Sequence, residues 1–375
     1  MDISELYMAR CLELAGHGRG STAPNPMVGS VVVHDGRIIG EGYHHRCGEA
    51  HAEVNAISSV RDDFLLRNST LYVSLEPCSH YGKTPPCAEL IIRKGIPRVV
   101  VACLDPFPQV AGCGVDMLRK AGVEVVTGVM EREAIDLNAY FMTAHKKHRP
   151  YIILKWAQSE DGFIDRVRKD VSEKPVLLST TVTRMMVHKL RSEVQAIMVG
   201  TNTAILDNPS LTVRYWSGKS PIRILVDRQL RVSEEAHLYD GKQQTFIFTE
   251  QEFKSVKPDK NRIEYVKIEN STHFLRNLTQ YLYERDVHSL LVEGGARLHH
   301  SFIEEDLWDE IIVETAPVRL GNGVESIKIP VENSSQLSDK YIVPKCFDRR
   351  EKPSLIERYL KHDVLKNKVS YAKIL

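Results

Sequence analysis

The chain has 375 residues, 42% of them hydrophobic, which is enough for two domains with packed cores. Its 50 basic and 49 acidic side chains nearly balance, which argues against a general polyanion binder such as a nucleic-acid-binding protein. We find no stretch typical of a transmembrane helix or a signal peptide. The 7 cysteines, an odd number, fit a reducing compartment, so we expect a cytoplasmic protein that binds neither nucleic acid nor membrane.

Helix and strand patterns alternate along the first part of the chain. The predicted helices cover 5–14, 88–94, 115–121 and 131–144, with a short one after His51, and the predicted strands cover 28–33, 37–43, 70–75, 98–103 and 123–127. Asp35-Gly36 between the first two strands indicates a hairpin turn. Strands that alternate with helices in this way predict a sheet covered by helices on both faces.

A polar run that ends at Pro150 interrupts the pattern, which then starts again. The second part has predicted strands over 151–155, 196–199, 222–226, 245–248, 289–292 and 311–314, and predicted helices over 182–191 and 274–284. We therefore place the chain in the α/β fold class with two domains, 1–146 and 147–375.

The strongest chemical signal of the first domain is His51-Ala52-Glu53, followed by Pro77-Cys78 and by Cys87. A catalytic zinc ion takes three protein ligands and keeps a position open for water, whose pKa it lowers. One imidazole and two thiolates provide such a ligand set, and Glu53 can move the protons that deamination requires. Because this pattern is the signature of zinc deaminases, we predict one Zn²⁺ per chain, bound by His51, Cys78 and Cys87, with Glu53 as the catalytic residue.

The length and sequence of the loop between the two cysteines indicate which group of zinc deaminases the chain resembles. Eight residues separate Cys78 from Cys87, where the general signature has two. The stretch 76–87, together with 24–29, resembles the deaminase domain of bifunctional riboflavin-biosynthesis proteins. The resemblance implies a cytidine-deaminase-like fold for the N-terminal domain.

The same resemblance implies which residues meet the pyrimidine substrate. Asn25 and His44 are expected to line its pocket, and His80 and Lys83 to meet its polar groups or its phosphate. Taken alone, Asn25 before Pro26 is equally typical of a turn, and Lys83 of a solvated surface cation.

From about Tyr151 the chain resembles the reductase domain of the same family, which has a dihydrofolate-reductase-like fold. The resemblance rests on Leu154-Lys155, on Ser159-x-Asp161-Gly162 and on the segments 199–203, 207–214 and 292–295. It implies hydride transfer from NADPH to the ribosyl chain of a phosphorylated pyrimidine. A Gly-x-Gly-x-x-Gly motif does not occur around 292–295, so a Rossmann site is not supported.

The residue roles in this half come from the resemblance. Ala157, Thr203, Asp207 and Gly295, with the segment that continues to Ser301, are expected to contact NADPH. The expected substrate contacts are Arg191, Leu211, Arg214 and Glu293. Read physically, Gly294-Gly295 after an apolar strand would let a phosphate approach a helix N-terminus, although an ordinary tight turn has the same appearance. Without the family, Arg191 and Arg214 would be read as surface cations.

Two positions depart from the family pattern. The segment 175–179 lacks the serine and the tryptophan that family members often carry, with Leu177 in the tryptophan's place. Arg228 stands after Asp227, where a smaller residue can contact the cofactor. A cation at this position suits the extra phosphate of NADPH, and a surface role is equally open.

The sequence as a whole thus indicates a bifunctional riboflavin-biosynthesis enzyme that acts on small pyrimidine ribose-phosphates and assembles as a homo-oligomer, a dimer or a tetramer. One alternative is a nucleoside or nucleic-acid deaminase with an unrelated C-terminal domain, which the charge balance and the long cysteine loop disfavour. Another is a structural zinc module, which Glu53 beside only three evident ligands disfavours, because structural sites are closed by four.

Overall fold

The computed structural model describes residues 2–81, 85–107, 110–253, 262–269, 271–330, 334–336, 341–342 and 354–361. The chain forms two compact units, and the boundary between them lies between His148 and Arg149. Both are α/β in architecture, which agrees with the predicted fold class. Over the described ranges, none of the helices has both the length and the hydropathy needed to cross a bilayer.

The first unit is a sheet of the order β2-β1-β3-β4-β5, in which β1 is antiparallel to β2 and β3, and β3, β4 and β5 are parallel. Its strands are β1 (Gly29–His34), β2 (Arg37–Tyr43), β3 (Thr70–Leu75), β4 (Arg98–Cys103) and β5 (Glu124–Thr127). Its helices are α1 (Ile3–Gly16), α2 (Ala52–Ser58), α3 (Cys87–Lys94), α4 (Cys113–Lys120), α5 (Glu131–Leu137) and α6 (Ala139–Lys147).

Both faces of this sheet are buried. Successive side chains of a strand point to opposite faces. Val31 and Val33 therefore pack with Met8 of α1 and Ala134 of α5, whereas Val32 packs on the other face, with residues of α2, α3 and α4. The face covered by α2 and α3 carries the functional residues described below.

The single helix predicted over 131–144 is wrong, because α5 and α6 are separated at Asn138. The Asn138 backbone has φ −99° and ψ 26°. Its side-chain amide accepts a hydrogen bond from the Met27 N–H and donates one to the Met27 carbonyl, both at 2.8 Å. An asparagine side chain can bind backbone groups in competition with the helix, and here the groups belong to a residue distant in the sequence, so a tertiary contact sets the helix break.

The second unit has a larger sheet of the order β11-β10-β9-β8-β12-β6-β13-β17-β15, with β16 paired to β17 and β14 paired to β7 in a separate ribbon. Its strands are β6 (Tyr151–Ser159), β7 (Phe163–Asp165), β8 (Ala196–Gly200), β9 (Ile222–Val226), β10 (Thr245–Thr249), β11 (Ile263–Lys267), β12 (Ser289–Val292), β13 (Glu310–Ala316), β14 (Val324–Glu325), β15 (Ser334–Gln336), β16 (Tyr341–Ile342) and β17 (Leu355–Lys361). Its helices are α7 (Thr181–Glu193), α8 (Thr201–Asp207), α9 (Phe274–Tyr283) and α10 (Ala296–Glu304).

The strands from β11 to β13 in that order are parallel, so their carboxyl ends share one edge of the sheet. Ligands of open parallel sheets bind outside this edge. The sequence analysis did not predict helix α8 or the strands β7, β11 and β14 to β17. Glycine is required where the turn after β12 meets β8, because a Cβ on Gly294 would lie 2.7 Å from Val199 Cα.

Candidate active sites

The predicted zinc ligands lie together at the amino ends of two helices in the first unit. His51 is the residue before α2, Cys78 follows β3, and Cys87 is the first residue of α3. His51 Nδ1 lies 3.7 Å from Cys78 Sγ and 3.4 Å from Cys87 Sγ, and the three ligand atoms are all within 4.8 Å of one another. One imidazole and two sulfurs at these separations fit a zinc ion that keeps an open position.

The electrostatics of this cluster favour a thiolate. The Cys78 sulfur accepts hydrogen bonds from the Cys87 thiol, from His51 and from the Cys87 N–H, which lower its pKa to about 4. The backbone contact from Cys87 N to Cys78 Sγ is 3.3 Å. The hydrogen bond to Cys78 also raises the pKa of His51. The hydrogen bond to Cys78, and then burial, raise the pKa of the Cys87 thiol. Metals bind the thiolate form of cysteine, so Cys78 is the ligand that these contacts favour for a cation.

Glu53 lies in the first turn of α2, with its side chain buried beside the same cluster. Burial, and then the charge of Cys78, raise the pKa of Glu53 to about 7. A carboxyl group that titrates near neutrality can both accept and return a proton. This is the property that the predicted role of Glu53 requires.

Asn25 and His44, the expected pyrimidine-pocket residues, are joined by a hydrogen bond beside the cluster. Asn25 Nδ2 lies 3.1 Å from His44 Nε2, and His44 Nδ1 lies 3.1 Å from the Ala50 carbonyl. The buried His44 ring is 5.5 Å from the His51 ring. Burial first of all lowers the pKa of His44. Because the Ala50 carbonyl can only accept and the Asn25 amide nitrogen can only donate, the ring donates from Nδ1 and accepts at Nε2.

The remaining two deaminase predictions have different outcomes. His80 is an exposed side chain of the loop after Cys78. Lys83 lies outside the described residues, as do its two neighbours. The positions of these side chains relative to a substrate therefore stay predictions.

Glu76 directly follows β3, two residues before Cys78, and the sequence reading did not identify its role. Its buried carboxylate accepts backbone hydrogen bonds from Asp105 and Gly112 on Oε2, at 3.2 and 2.9 Å. On Oε1 it accepts from Gly114 and Val115, at 2.9 and 3.1 Å. A Cβ on Gly114 would lie 1.9 Å from the Pro77 carbonyl, so the start of α4 packs directly against the chain that carries Cys78.

In the second unit, the predicted substrate residues Arg191 and Glu293 form an ion pair at the carboxyl edge of the sheet. Arg191 Nε donates to Glu293 Oε1 at 3.0 Å, and its second nitrogen donates to Oε2 at 2.6 Å. The third nitrogen donates to the Thr212 carbonyl at 3.1 Å. Burial opposes ionisation of Glu293, but Arg191 holds its pKa below the ordinary value.

His188, one turn before Arg191 on α7, was missed by the sequence reading. Its Nδ1 accepts a hydrogen bond from the Arg214 N–H at 2.8 Å. Burial first, and then the charges of Arg191 and Arg214, lower its pKa to about 4. Leu211, also predicted for the substrate, is buried and has φ 50°. The His188 ring and the guanidinium groups of Arg191 and Arg214 therefore form a polar patch that is suited to a phosphate group.

Two of the four predicted cofactor residues share one cleft. Thr203 and Gly295 line a cleft of about 600 Å³ at the carboxyl edge, together with residues of the turns after β8, β9 and β12. Ala157 lies on β6, paired with Glu314 of β13. The Asp207 carboxylate binds Arg168 at 2.5 Å. Neither Ala157 nor Asp207 lines the cleft.

Glu314 of β13 is a buried acid that the sequence analysis also did not identify. It is paired with Ala157 of β6 in the sheet. It accepts a hydrogen bond from Ser179 at 2.6 Å and lies 3.8 Å from the Lys155 ammonium. Its Oε1 is buried and finds no hydrogen-bond partner within the described ranges. Leu177, two residues before Ser179, is 72% exposed and does not line the cleft.

Comparisons with known families match both halves of the chain. The cytidine and deoxycytidylate deaminase zinc-binding region matches residues 1–103, and the RibD C-terminal domain matches residues 150–343. The riboflavin biosynthesis protein RibD of Aquifex aeolicus is 39% identical over 355 residues, covering 91% of this chain and 98% of the relative. The RibD protein of Escherichia coli is 38% identical, covering 86% of this chain and 90% of the relative.

Solved structures agree over nearly the whole chain. The Thermotoga maritima diaminohydroxyphosphoribosylaminopyrimidine deaminase/5-amino-6-(5-phosphoribosylamino)uracil reductase has a TM-score of 0.81 and 35% identity, covering 96% of this chain and 99% of that one. Acinetobacter baumannii RibD also has a TM-score of 0.81, with 31% identity and the same coverage.

Proposed function

The chain belongs to the RibD family of bifunctional riboflavin-biosynthesis proteins, with a zinc-binding deaminase domain and an NADPH-dependent reductase domain, and we propose how its residues divide the two reactions. The first unit would hydrolyse the exocyclic amine of 2,5-diamino-6-(5-phosphoribosylamino)pyrimidin-4-one. The second would reduce the ribosyl chain of 5-amino-6-(5-phosphoribosylamino)uracil to ribityl. The observation that carries the proposal is the cluster of His51, Cys78 and Cys87 beside the buried Glu53.

In the deamination, His51, Cys78 and Cys87 would hold the zinc ion, which supplies a Lewis acid that lowers the pKa of water at the site. Glu53 would take the proton of that water, deliver it to the pyrimidine ring nitrogen and then assist the departure of ammonia. Its pKa of about 7 suits both directions of transfer. Asn25 and His44, fixed by their mutual hydrogen bond, would orient the ring next to the cluster.

In the reduction, NADPH supplies the hydride. Thr203 and Gly295 in the cleft, and Ala157 and Asp207 outside it, are proposed to hold the cofactor. Glu293 would contact the ribosyl chain from the end of β12, with its orientation set by Arg191. Leu211 would also contact the substrate, and Arg214 would bind the phosphate, because a guanidinium group forms paired charge-assisted hydrogen bonds with phosphate oxygens.

The domain limits 1–146 and 147–375, a homo-oligomeric assembly and a cytoplasmic location remain part of this proposal. The division of chain contacts after His148 supports separate catalytic units. Small pyrimidine ribose-phosphates, rather than nucleic acid, are the proposed substrates.

The two activities can be tested on one preparation of the full chain. We expect about one zinc per chain by elemental analysis, since one three-ligand cluster is present in the described residues. Ammonia release from the diaminopyrimidine substrate should precede NADPH oxidation. Zinc-free protein with full deamination would contradict the ligand assignment, and ammonia release without NADPH oxidation would contradict the reductase assignment.

A further inference from the structure

Glu314 of β13 is a buried acid that neither of the two proposed reactions uses. Its side chain is 1% exposed, and one carboxylate oxygen accepts a hydrogen bond from the Ser179 hydroxyl at 2.6 Å. The other oxygen is buried and has no hydrogen-bond partner among the described residues. Burial of an ionised carboxylate is unfavourable unless a cation and hydrogen bonds compensate for it. The fold therefore keeps this acid at some cost in stability, which points to a use for its charge.

The cation beside Glu314 is Lys155 of the neighbouring strand β6. The Lys155 ammonium lies 3.8 Å from the Glu314 carboxylate, and the lysine side chain is 12% exposed. This separation suits an ion pair but is longer than a hydrogen bond. In the part of the chain that the structure describes, the three N–H donors of this ammonium therefore stay available to a ligand.

The pairing of β6 with its two neighbours puts Lys155 at the proposed substrate site. β6 lies between β12 and β13, and the three strands are parallel. β12 pairs with β6 as far as Leu154, so Glu293 follows at the level of Lys155. Burial opposes ionisation of Glu293, Arg191 holds its pKa below the ordinary value, and the charge of Lys155 adds to that effect. Lys155 thus has the proposed substrate residue on one side and Glu314 on the other.

Lys155 and Glu314 also share a face of the sheet with the proposed cofactor residue Ala157. Side chains two apart on a strand point to the same face, and Ala157 is paired directly with Glu314. Leu154 and Trp156, which alternate with Lys155 and Ala157, pack in the hydrophobic core on the opposite face. The Lys155 ammonium therefore lies where the proposed contacts to cofactor and substrate meet.

The proposed reduction consumes one proton for each hydride. C1′ of the ribosyl group receives the hydride, and its bond to the ring oxygen breaks with the electron pair on that oxygen. The oxygen then takes a proton and becomes a hydroxyl group of the ribityl chain. An ammonium group held at the site can donate this proton as a general acid and recover it from water.

We propose that Glu314, oriented by Ser179, is a positioning residue of the reduction, which holds the Lys155 ammonium where it donates the proton to the ribosyl ring oxygen. The inference rests on the proposed function, because it takes the sheet edge around Glu293 to be the reductase site. The Glu314 carboxylate is too buried to touch a ligand, so it acts through Lys155. Lys155 is the catalytic residue of the pair.

Steady-state kinetics of the full chain with pre-deaminated substrate test the pair. Glu314→Gln keeps the shape of the side chain and should lower kcat by about tenfold or more, because a small misplacement of a catalytic group costs up to about 10²-fold. The KM values for NADPH and substrate should stay unchanged. Lys155→Ala should lower kcat by at least about 10²-fold, and Glu314→Gln should cost nothing further in that background. Glu310→Gln is the matched control, because Glu310 is a buried acid of the same strand with its own cation, Arg358, and kcat should not change.

A second measurement needs no NADPH. Acetic anhydride acetylates amines, and mass spectrometry gives the labelled fraction of each lysine. Lys155 should react several times faster in Glu314→Gln than in the unaltered chain, because its ammonium is no longer held inside the site. The exposed Lys120 of the first unit should react equally in both. Ser179→Ala, which keeps the carboxylate and removes its hydrogen bond, should produce the same effects to a smaller extent and serves as the test if Glu314→Gln does not fold.

Three outcomes would overturn the inference while leaving the proposed function in place. They are a kcat of Glu314→Gln equal to that of the unaltered chain, additive losses of kcat from Glu314→Gln and Lys155→Ala, and unchanged acetylation of Lys155. Failure of the unaltered chain to oxidise NADPH with the pre-deaminated substrate would instead reject the proposed function of the second unit.

Discussion

The Arg191 guanidinium spans the Glu293 carboxylate with two hydrogen bonds, at 3.0 and 2.6 Å, and both side chains are largely buried. Removal of one partner leaves a buried charge without compensation, which costs about 3–5 kcal/mol. Arg191→Leu should therefore lower the free energy of unfolding of the second unit by about 3 kcal/mol in urea titrations. The double variant Arg191→Leu/Glu293→Leu should recover most of that loss, whereas additive losses would show that the pair contributes no coupling.

Glu53→Gln keeps the size of the side chain but removes its ability to shuttle a proton. Ammonia release should fall by at least about 10²-fold, the low end for general acid–base catalysis. Zinc content and the reduction of pre-deaminated substrate should be unchanged, because the ligands and the second unit are intact. A parallel fall of both activities would argue against two separate sites.

Glu76→Gln tests whether one carboxylate fixes the segment that leads to Cys78. The amide has one acceptor oxygen, so the donors that faced the other oxygen lose their partner, at a cost of about 1–3 kcal/mol. We expect a lower melting temperature and faster loss of zinc to a chelator. Glu124→Gln, an exposed glutamate paired with Arg98, is the control and should change neither. Equal zinc retention in the two variants would assign Glu76 to stability alone.

The division between the units can be tested with two fragments that differ by one residue. Arg149 donates to both oxygens of the fully buried Asp309, at 2.5 and 2.9 Å. A fragment that begins at Arg149 should unfold cooperatively, and one that begins at Pro150 should be less stable by about 3 kcal/mol, since the buried carboxylate loses its arginine. Equal stability would mean that the pair does not anchor the start of the unit.

The low pKa of His188 predicts that the second unit loses stability at acid pH. Its folded pKa of about 4 is below the ordinary histidine value, so the unfolded chain binds a proton more readily. The stabilisation is fully present above about pH 6.5 and is lost as the pH falls towards about 4. Urea titrations at pH 7 and pH 5 should show this loss, and His188→Asn should reduce it. The same pH dependence in the variant would assign the effect to other groups.

The sequence by itself determined the family, the fold class and the chemistry of the first site. The pattern of residue types identifies His51, Cys78, Cys87 and Glu53. A histidine, two cysteines and a glutamate at the ends of strands and the starts of helices are typical of few reactions other than zinc-dependent deamination. The consecutive valines Val31 to Val33 likewise predict a strand, and the alternation of strands with helices predicts a sheet that is covered on both faces.

The tertiary structure decided the features that depend on partners distant in the sequence. Asn138 breaks a helix because Met27, 111 residues away, offers a matching amide. Glu76 binds backbone groups 29 to 39 residues later, and Arg191 meets Glu293 across 102 residues. Local periodicity carries no information about such pairs, because a hydrogen bond or ion pair forms only after the chain has brought both groups to the same edge of a sheet.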